Sequence, residues 1–366
     1  MASAQQPKRG ILLLTGGGSA GHVTPNLALA NELVARGYSI HYVGRAEGIE
    51  KDLIVPTGLP YHSLSAGKLR RYLSLENLTD IVRIAKGVLD AFRVVRRVQP
   101  ALVFSKGGFV SCPVVWAAWL NRVPIVVHES DFSPGLANRL SVPFASRVCY
   151  AFPETGEHFA VSKRVHTGIP VRPSLLHGDA EEGRRICGFV DSAKPTLLII
   201  GGSLGSRVIN EAVRAALPEL LTHFNICHLV GPDHDIDATD EQPGYFTLPY
   251  AGEELSHLLA LADLVLSRAG ATTLFELLAT RKPHLLVPLS LQASRGDQIQ
   301  NTRCFERLGY SAVLPEEALT PQALGATLQA TYAKREQFAK QMAEAPMANA
   351  IERVVEAIET CLPKMA

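Results

Sequence analysis

Short apolar runs of Leu, Ile and Val alternate along the chain with longer segments whose apolar positions recur at helical spacing. The runs give way to Gly, Ser or Pro, so the pattern is that of repeated strand–helix units, which build parallel sheets covered by helices. In the first half it predicts strands over Ile11–Leu14, Ser39–Val43, Ala101–Phe104, Ile125–His128, Arg147–Tyr150 and Arg164–His166. A second series follows over Thr196–Ile200, Ile226–Val230, Phe246–Leu248, Leu264–Ser267 and His284–Val287. Between them lies Thr167-Gly-Ile-Pro-Val-Arg-Pro-Ser174, whose prolines and glycine can continue neither a helix nor a central strand, which makes it a hinge. The predicted fold is α/β, with two doubly wound, Rossmann-like parallel-sheet domains. The segment Ala348–Cys361 sets Ile351, Val354, Val355 and Ile358 on one helical face and must dock on a domain, though periodicity leaves open which.

Each series opens with a strand running into glycines. Gly16-Gly-Gly18-Ser-Ala-Gly21 matches G-x-G-x-x-G ahead of a helix that Thr24-Pro25 would begin as N-cap and first residue. Bare amides at a helix N-terminus favour an anion, and missing side chains let a diphosphate come close. A dinucleotide site wants an acid at the end of the second strand. Tyr42-Val-Gly-Arg45 ends in arginine, so only an NADP variant stands beside the plainer alternative of a tight turn. Lys106-Gly-Gly-Phe-Val-Ser111-Cys-Pro113 repeats the device, and two such loops in one domain could grip one diphosphate. His128-Glu-Ser-Asp131 emerges on the same rim, with His128 either a site group or a buried packing residue.

In the second half Gly201-Gly-Ser203-Leu-Gly-Ser206-Arg207 is a third such turn. Ser267-Arg-Ala-Gly270 then leads into a helix with Glu276 about two turns inside, either an acceptor for ribose hydroxyls or a solvated helix carboxylate. Gln298, in Arg295-Gly-Asp-Gln298-Ile-Gln-Asn301, is either a ligand group or an ordinary polar helix start. Asp233-His-Asp235-Ile-Asp237 has the alternation of an oxygen-ligand cation site, but it sits with Asp240 and Glu241 in an acidic stretch containing Pro and Gly and reads as a solvated loop. No metal ligand set is expected.

Composition narrows the picture further. With 366 residues the chain holds roughly two domains, and 47% hydrophobic against 19% charged residues excludes wholesale disorder. Lys and Arg number 36 against 35 Asp and Glu, too even for a dedicated nucleic-acid binder. Ile11–Leu14 is too short for a secretory core and no run approaches membrane-spanning length, which suggests a soluble or peripheral protein. Cysteines 112, 149, 187, 227, 304 and 361 show no C-x-x-C spacing and are expected reduced, cytosolic and mostly buried. Residues 60–100 carry eight Lys or Arg against three acids, interleaved with Leu69, Tyr72, Leu73, Leu75 and Phe92. That mixture suits an anionic membrane surface, with Trp116 and Trp119 as interfacial aromatics, or else a domain helix with a basic outer face.

Taken in order, Gly16–His22, Ser65-Ala-Gly-Lys-Leu-Arg-Arg71, Ser105–Ser111, His128-Glu129 with Pro134-Gly135 and Asn138, Thr167-Gly168 with Pro170 and Arg172, Gly201–Ser206, Ser267–Glu276, and Asp297-Gln298 with Asn301 resemble the MurG family of peripheral GT-B glycosyltransferases. The resemblance spans nearly the whole chain; each motif is weak alone, and eight in order are specific. It implies a GT-B fold whose domains, 7–168 and 175–345, face each other across a cleft, with a helix over 347–362 returning to the first domain. It also implies inverting transfer of N-acetylglucosamine (GlcNAc) from UDP-GlcNAc to the C4 hydroxyl of MurNAc-pentapeptide on undecaprenyl diphosphate (lipid I), giving lipid II for peptidoglycan. The setting would be the cytoplasmic face of the bacterial membrane, with no cofactor beyond the donor substrate.

By the same resemblance Gly17, Gly18, Ser19, Gly21, Gly107 and Gly108 hold the acceptor diphosphate. Arg172, Gly202, Ser203, Gly205, Ser267, Gly270, Thr272, Glu276 and Gln298 hold the donor, with Arg172, Ser203 and the loop amides at its diphosphate, Glu276 at ribose and Gln298 at the sugar. His22 is the first candidate for the base, Glu129 the second and Asp131 the third, while Arg172 and helix termini stand in for a metal. Lys68, Arg70, Arg71, Tyr72, Leu73 and Leu75 would meet the membrane. Two departures stand out: Ser19-Ala20 where the family more often reads Gly-Gly-Thr-Gly-Gly-His, and Ser130-Asp131 where it frequently has Gln-Asn. Three other readings remain: a UDP-GlcNAc 2-epimerase of the same architecture, an NADP oxidoreductase, and a UDP-sugar binder without turnover.

Overall fold

The structure, a computed structural model, describes residues 9–65, 76–190, 193–232, 242–345 and 349–362, with backbone alone over 76–85. The chain divides into two units, Met1–Val171 with Ala348–Ala366, and Arg172–Met347.

The first unit is built on seven parallel strands, β1 (Ile11–Thr15), β2 (Ser39–Arg45), β3 (Tyr61–Leu64), β4 (Leu102–Ser105), β5 (Ile125–Glu129), β6 (Arg147–Tyr150) and β7 (Arg164–His166). Their spatial order is β3-β2-β1-β4-β5-β6-β7. Parallel strands covered on both faces must be apolar throughout, and Leu12-Leu13-Leu14 shows how one run serves two cores. Side chains alternate along a strand. Leu13 therefore joins Val43, Val103 and Val127 in a core under α3 (Glu76–Val98) and α4 (Ser111–Leu120), all buried. Leu12 and Leu14 face the other way, with Ile40, Tyr42 and Phe104, beneath α1 (Thr24–Ala35).

Into that second core the chain end returns as α13 (Ala350–Glu359), with Val354, Val355 and Ile358 fully buried. Each such aliphatic side chain contributes about 1.5–3 kcal/mol when removed from water. Ion pairs from Arg36 to Glu352 (2.5 Å) and Glu359 (3.6 Å) fix the helix against α1.

In the second unit six parallel strands, β8 (Thr196–Ile200), β9 (Asn225–Leu229), β10 (Tyr245–Leu248), β11 (Leu264–Ser267), β12 (His284–Leu286) and β13 (Ala312–Val313), lie in the order β10-β9-β8-β11-β12-β13. The helices that matter to the site are α7 (Arg207–His223), α9 (Ala271–Ala279) and α10 (Asp297–Arg307). Sheet edges β3 and β13 are additions to the strands expected from sequence. In both sheets the order reverses beside the first strand, between β1 and β4 and between β8 and β11. Loops leaving the carboxyl ends there diverge to opposite faces and open a crevice, where ligands of doubly wound folds bind.

Candidate active site

At the β1/β4 reversal the two glycine loops of the first unit touch. A Cβ placed on Gly108 would lie 2.2 Å from the Gly17 carbonyl oxygen, and Gly108 itself has φ +81°, so backbone packs on backbone where a side chain would not fit. Behind the first loop Tyr42 Oη donates to Gly16 O (2.8 Å), and Asn26 on α1 donates to Thr15 O and to Tyr42 Oη (both 3.2 Å). The loop ends in a short 3₁₀ turn, Ala20–His22, ahead of α1. Thr24, expected to cap this helix, instead lies inside it and donates its hydroxyl to Ala20 O (3.2 Å). Gly21 and His22 are half-buried on this turn, Ser19 is exposed, and Ser19 Oγ lies 2.9 Å from His22 Nδ1.

Beneath the first loop is a carboxylate. Glu50 is fully buried, pairs with Arg45 Nε at 3.1 Å, and accepts the Gly18 amide at 3.4 Å. The arginine that kept an NADP reading alive is therefore spent internally, its guanidinium also 5.4 Å above the Phe109 ring. Gly18, expected to offer its amide to the acceptor diphosphate, offers it to Glu50. Gly107 likewise directs its amide at Ser105 Oγ (3.4 Å), with Asn138 packed against its α-carbon.

At the end of β5, His128 has no exposure and its Nε2 donates to Gly168 O (2.8 Å), so the ring is a neutral packing group, its pKa driven well down by burial and by Lys106. Glu129 is buried, and its carboxylate accepts from the Asp131 amide (3.0 Å), the Gly135 amide (3.0 Å) and Asn138 Nδ2 (2.8 Å). Burial and the neighbouring Asp131 push its pKa up to about 7. Three internal donors make it the brace of the 129–135 turn. Asp131 is half-buried on the rim. Lys106, between the loops and Ser130, is 1% exposed and donates its ammonium to Ser130 Oγ.

In the second unit the Gly201–Ser206 loop closes on itself, Gly205 N donating to Gly202 O (3.0 Å), with Gly202 exposed and Ser203 half-buried at the rim. Gly205 thus uses its amide within the loop. Ser206 caps α7, accepting the Ile209 amide (3.4 Å), and is fixed from behind by Arg268 (2.8 Å). Ser267, expected at the donor, is buried and gives its hydroxyl to Ile200 O (3.2 Å). Gly270 caps α9 with open space beside its α-carbon, and Thr272 stands half-buried in the first turn.

Glu276 on the second turn of α9 meets Arg172 NH2 at 3.4 Å, the carboxylate side chain 13% and the guanidinium 25% exposed. Burial raises the Glu276 pKa while Arg172 opposes the rise. Gln298 Oε1 accepts from Ala269 N (3.2 Å) and Leu289 N (3.1 Å). Both partners are donors, so the oxygen end is fixed and only the Nε2 hydrogens remain for a ligand.

The expected membrane residues Lys68, Arg70, Arg71, Tyr72, Leu73 and Leu75, and the Asp233–Asp237 alternation, lie outside the described residues. Trp119 is 53% exposed on α4, whereas Trp116 is packed on the core and donates to Leu140 O (3.4 Å). Among the described residues no helix is long and apolar enough to cross a membrane, and no group of three His, Cys, Asp or Glu could hold a metal.

Residues 12–150 match the glycosyltransferase family 28 N-terminal domain and residues 196–360 its C-terminal domain. A protein of Clostridium tetani (strain Massachusetts / E88), named UDP-N-acetylglucosamine–N-acetylmuramyl-(pentapeptide) pyrophosphoryl-undecaprenol N-acetylglucosamine transferase, is 47% identical over 348 residues, covering 95% of this chain and 97% of its own. The chain belongs to the MurG family of glycosyltransferases. A crystal structure of Acinetobacter baumannii MurG covers 96% of this chain and 99% of its own at 26% identity, with a TM-score of 0.73. The fold is thus GT-B. A UDP-GlcNAc 2-epimerase from Neisseria meningitidis shares it at a TM-score of 0.66 and 12% identity, over 96% of this chain and 99% of its own, so it speaks to fold alone.

The glycine-rich turns expected from sequence stand at the carboxyl ends of strands in both sheets. Glu50, Lys106 and Arg268 are charged groups buried behind the loops that the sequence motifs do not single out. Lys106 carried one readable signal, a lone charge between an apolar strand and two glycines.

Proposed function

We propose that the chain transfers GlcNAc from UDP-GlcNAc, with inversion, to the C4 hydroxyl of the MurNAc-pentapeptide of lipid I. The observation that carries this reading, beside 47% identity to a transferase so named, is the pair of glycine loops in contact at the β1/β4 reversal with His22 on their rim. In-line displacement at the anomeric carbon needs a base for the incoming hydroxyl and stabilisation of the departing diphosphate.

His22 is the base. It stands on the 3₁₀ turn at the rim of the first loop, its Nδ1 2.9 Å from Ser19 Oγ, and an imidazole is the side chain suited to taking a hydroxyl proton near neutral pH. Glu129, holding three internal hydrogen bonds, braces the turn that carries Asp131. Ser19, Gly21 and Gly108 supply the acceptor-diphosphate surface, with Gly18, Gly107 and the buried Gly17, which packs on Glu50, shaping it. On the donor side the N-terminus of α7, Gly202, Ser203 and Arg172 receive the leaving diphosphate. Glu276 accepts from ribose hydroxyls, and Gln298 offers its Nε2 hydrogens to the sugar; Gly270 and Thr272 line the approach, and Ser267 and Gly205 hold their loops.

A lipid-linked acceptor never leaves the bilayer, so the protein works as a peripheral enzyme on the cytoplasmic membrane face, its basic segment around Lys68–Leu75 toward anionic lipid. Incubating the protein with labelled UDP-GlcNAc and lipid I in vesicles tests the reading. Label is expected in the lipid product. Release of a free or epimerised sugar without lipid labelling would overturn it in favour of the 2-epimerase reading.

A further inference from the structure

We infer that Glu50 is a positioning residue for the acceptor, and that it and Phe109 clasp the first glycine loop at Gly18. The inference rests on assigning the first unit to the acceptor. Glu50 lies in the first turn of α2 (Ile49–Ile54) and is fully buried. Both of its oxygens are occupied by donors: Oε2 accepts the Gly18 amide (3.4 Å), while Oε1 accepts the Arg45 amide (3.3 Å) and Arg45 Nε (3.1 Å). The backbone around the carboxylate leaves no room for side chains. A Cβ on Gly17 would lie 2.8 Å from Glu50 Cδ, and one on Gly44 would lie 2.8 Å from its Cγ. The same helix packs on the 3₁₀ turn Ala20–His22, so the element that carries the carboxylate touches the turn that carries His22.

Phe109, from the second glycine loop, bounds Gly18 from another direction. A Cβ on Gly18 would lie 3.0 Å from Phe109 Cε1, and the Arg45 guanidinium stands 5.4 Å from the centre of the same ring, within cation–π range. The carboxylate therefore reaches Gly18 twice, directly through its amide and indirectly through Arg45 and Phe109. Stability alone does not call for an acid here, since a buried ion pair can often be replaced by apolar groups of like volume at no cost. What the arrangement supplies is selection of one backbone shape. Glycine leaves a loop free to adopt many conformations, and a carboxylate that must accept from three N–H groups fits only one of them. Losing that hold should loosen the loop that meets the acceptor. Glu50, Arg45, Gly18 and Phe109 all belong to the first unit, so the donor residues of the second unit should be spared.

The test uses Glu50→Gln, which keeps the volume but turns amide hydrogens toward donors that the carboxylate accepts, and Phe109→Leu, which removes the ring from Gly18 and Arg45. Transfer is assayed with lipid I vesicles and UDP-GlcNAc varied separately, with thermal melting of each protein. Glu50→Gln should raise the acceptor KM at least fivefold and Phe109→Leu at least threefold, the donor KM staying within twofold in both. Because the two side chains hold one loop, the double variant should lose no more than a further twofold in acceptor kcat/KM beyond Glu50→Gln. A smaller active fraction would lower kcat and leave both KM values in place. That result, a donor KM that rises as much as the acceptor KM, or a double-variant loss equal to the product of the single losses would overturn the inference. Should Glu50→Gln not fold, Phe109→Leu decides by the same two KM values. Should the wild-type protein transfer nothing to lipid I, the functional reading fails by itself. The clasp is then judged by amide hydrogen exchange in the folded variants: a peptide covering 16–22 should exchange at least fivefold faster than in the wild type while one covering 201–206 stays within twofold, and unchanged exchange over 16–22 refutes it.

Discussion

Replacing Gly108 by alanine isolates the contact between the two glycine loops. The added methyl meets two costs. At φ +81° an L-residue is strained, by about 1–2 kcal/mol. The Cβ would also sit 2.2 Å from the Gly17 oxygen, and forcing backbone apart in a packed site adds about 1–3 kcal/mol. Gly37→Ala is the control, because Gly37 has φ +89° and nothing within 4 Å of an added Cβ, so it bears the first cost alone. The chain has two tryptophans, Trp116 and Trp119, both on α4 just beyond the Gly108 loop. Tryptophan emission during urea unfolding therefore follows the first unit and is blind to the second. Gly108→Ala should be less stable than Gly37→Ala by about 1–3 kcal/mol, and its acceptor KM should rise while the donor KM holds. Equal unfolding midpoints for the two variants would refute the claim that the loops bear on each other.

Three further outcomes are expected. Glu276→Ala should weaken UDP-GlcNAc binding by about 1–3 kcal/mol through loss of charge-assisted hydrogen bonds, and calorimetry giving unchanged affinity in a folded variant would remove Glu276 from the donor site. Stability should fall as pH rises from 4.5 to about 7, because folded Glu129 keeps a proton that the unfolded chain releases, and recover between about 8 and 10.5 as folded Lys106 loses its proton first. Each arm is at most about 3 kcal/mol, and urea melts across pH should lack the upper arm in Lys106→Met; identical curves for the two proteins would contradict the assignment. Reversing Lys68, Arg70 and Arg71 to glutamate should abolish sedimentation with anionic vesicles, each lost cation being worth about 1 kcal/mol at such a surface, while soluble UDP-GlcNAc still binds; persistent sedimentation would place the membrane contact elsewhere.

What could be read from the sequence, and what could not, follows from where each residue's meaning is decided. Leu12-Leu13-Leu14 announces a central parallel strand because both of its faces are buried, so an apolar run is the signal itself. Tyr61–Leu64 carries no such run. As the edge strand β3 it is held by pairing with β2 and by the Tyr61 hydroxyl donating to Arg45 O (2.6 Å), partners set by the tertiary fold. The glycine loops were legible because a turn at a strand end is a local demand of the backbone. Arg45 was not: a cation ending a second strand suggests a phosphate partner until Glu50 is found fully buried beside it. Thr24 missed its capping place by one position because the chain enters α1 through a 3₁₀ turn, which an α-helical signature does not foresee.

Both crevices keep their loops in shape with internal hydrogen-bond partners. A glycine loop gives close approach at the expense of conformational freedom, and each unit restrains that freedom with polar side chains set behind the rim. In the first unit the carboxylates of Glu50 and Glu129 accept the amides of Gly18, Asp131 and Gly135. In the second, Gln298 Oε1 accepts the amides of Ala269 and Leu289, Asn301 donates to Ala269 O, and Arg268 holds Ser206 together with the Val287 carbonyl. These amides are committed to internal acceptors, so they bind no diphosphate themselves; they hold the loop backbone in place, which spares reorganisation of the groups that face a ligand. The support is neutralised in both units: Arg45 is paired with buried Glu50 in the first, and Arg268 with Glu316 at 2.5 Å in the second. Each loop therefore depends on balanced buried charge, and removing one partner of either pair should cost more than its exposure suggests, because the other is left buried and unpaired.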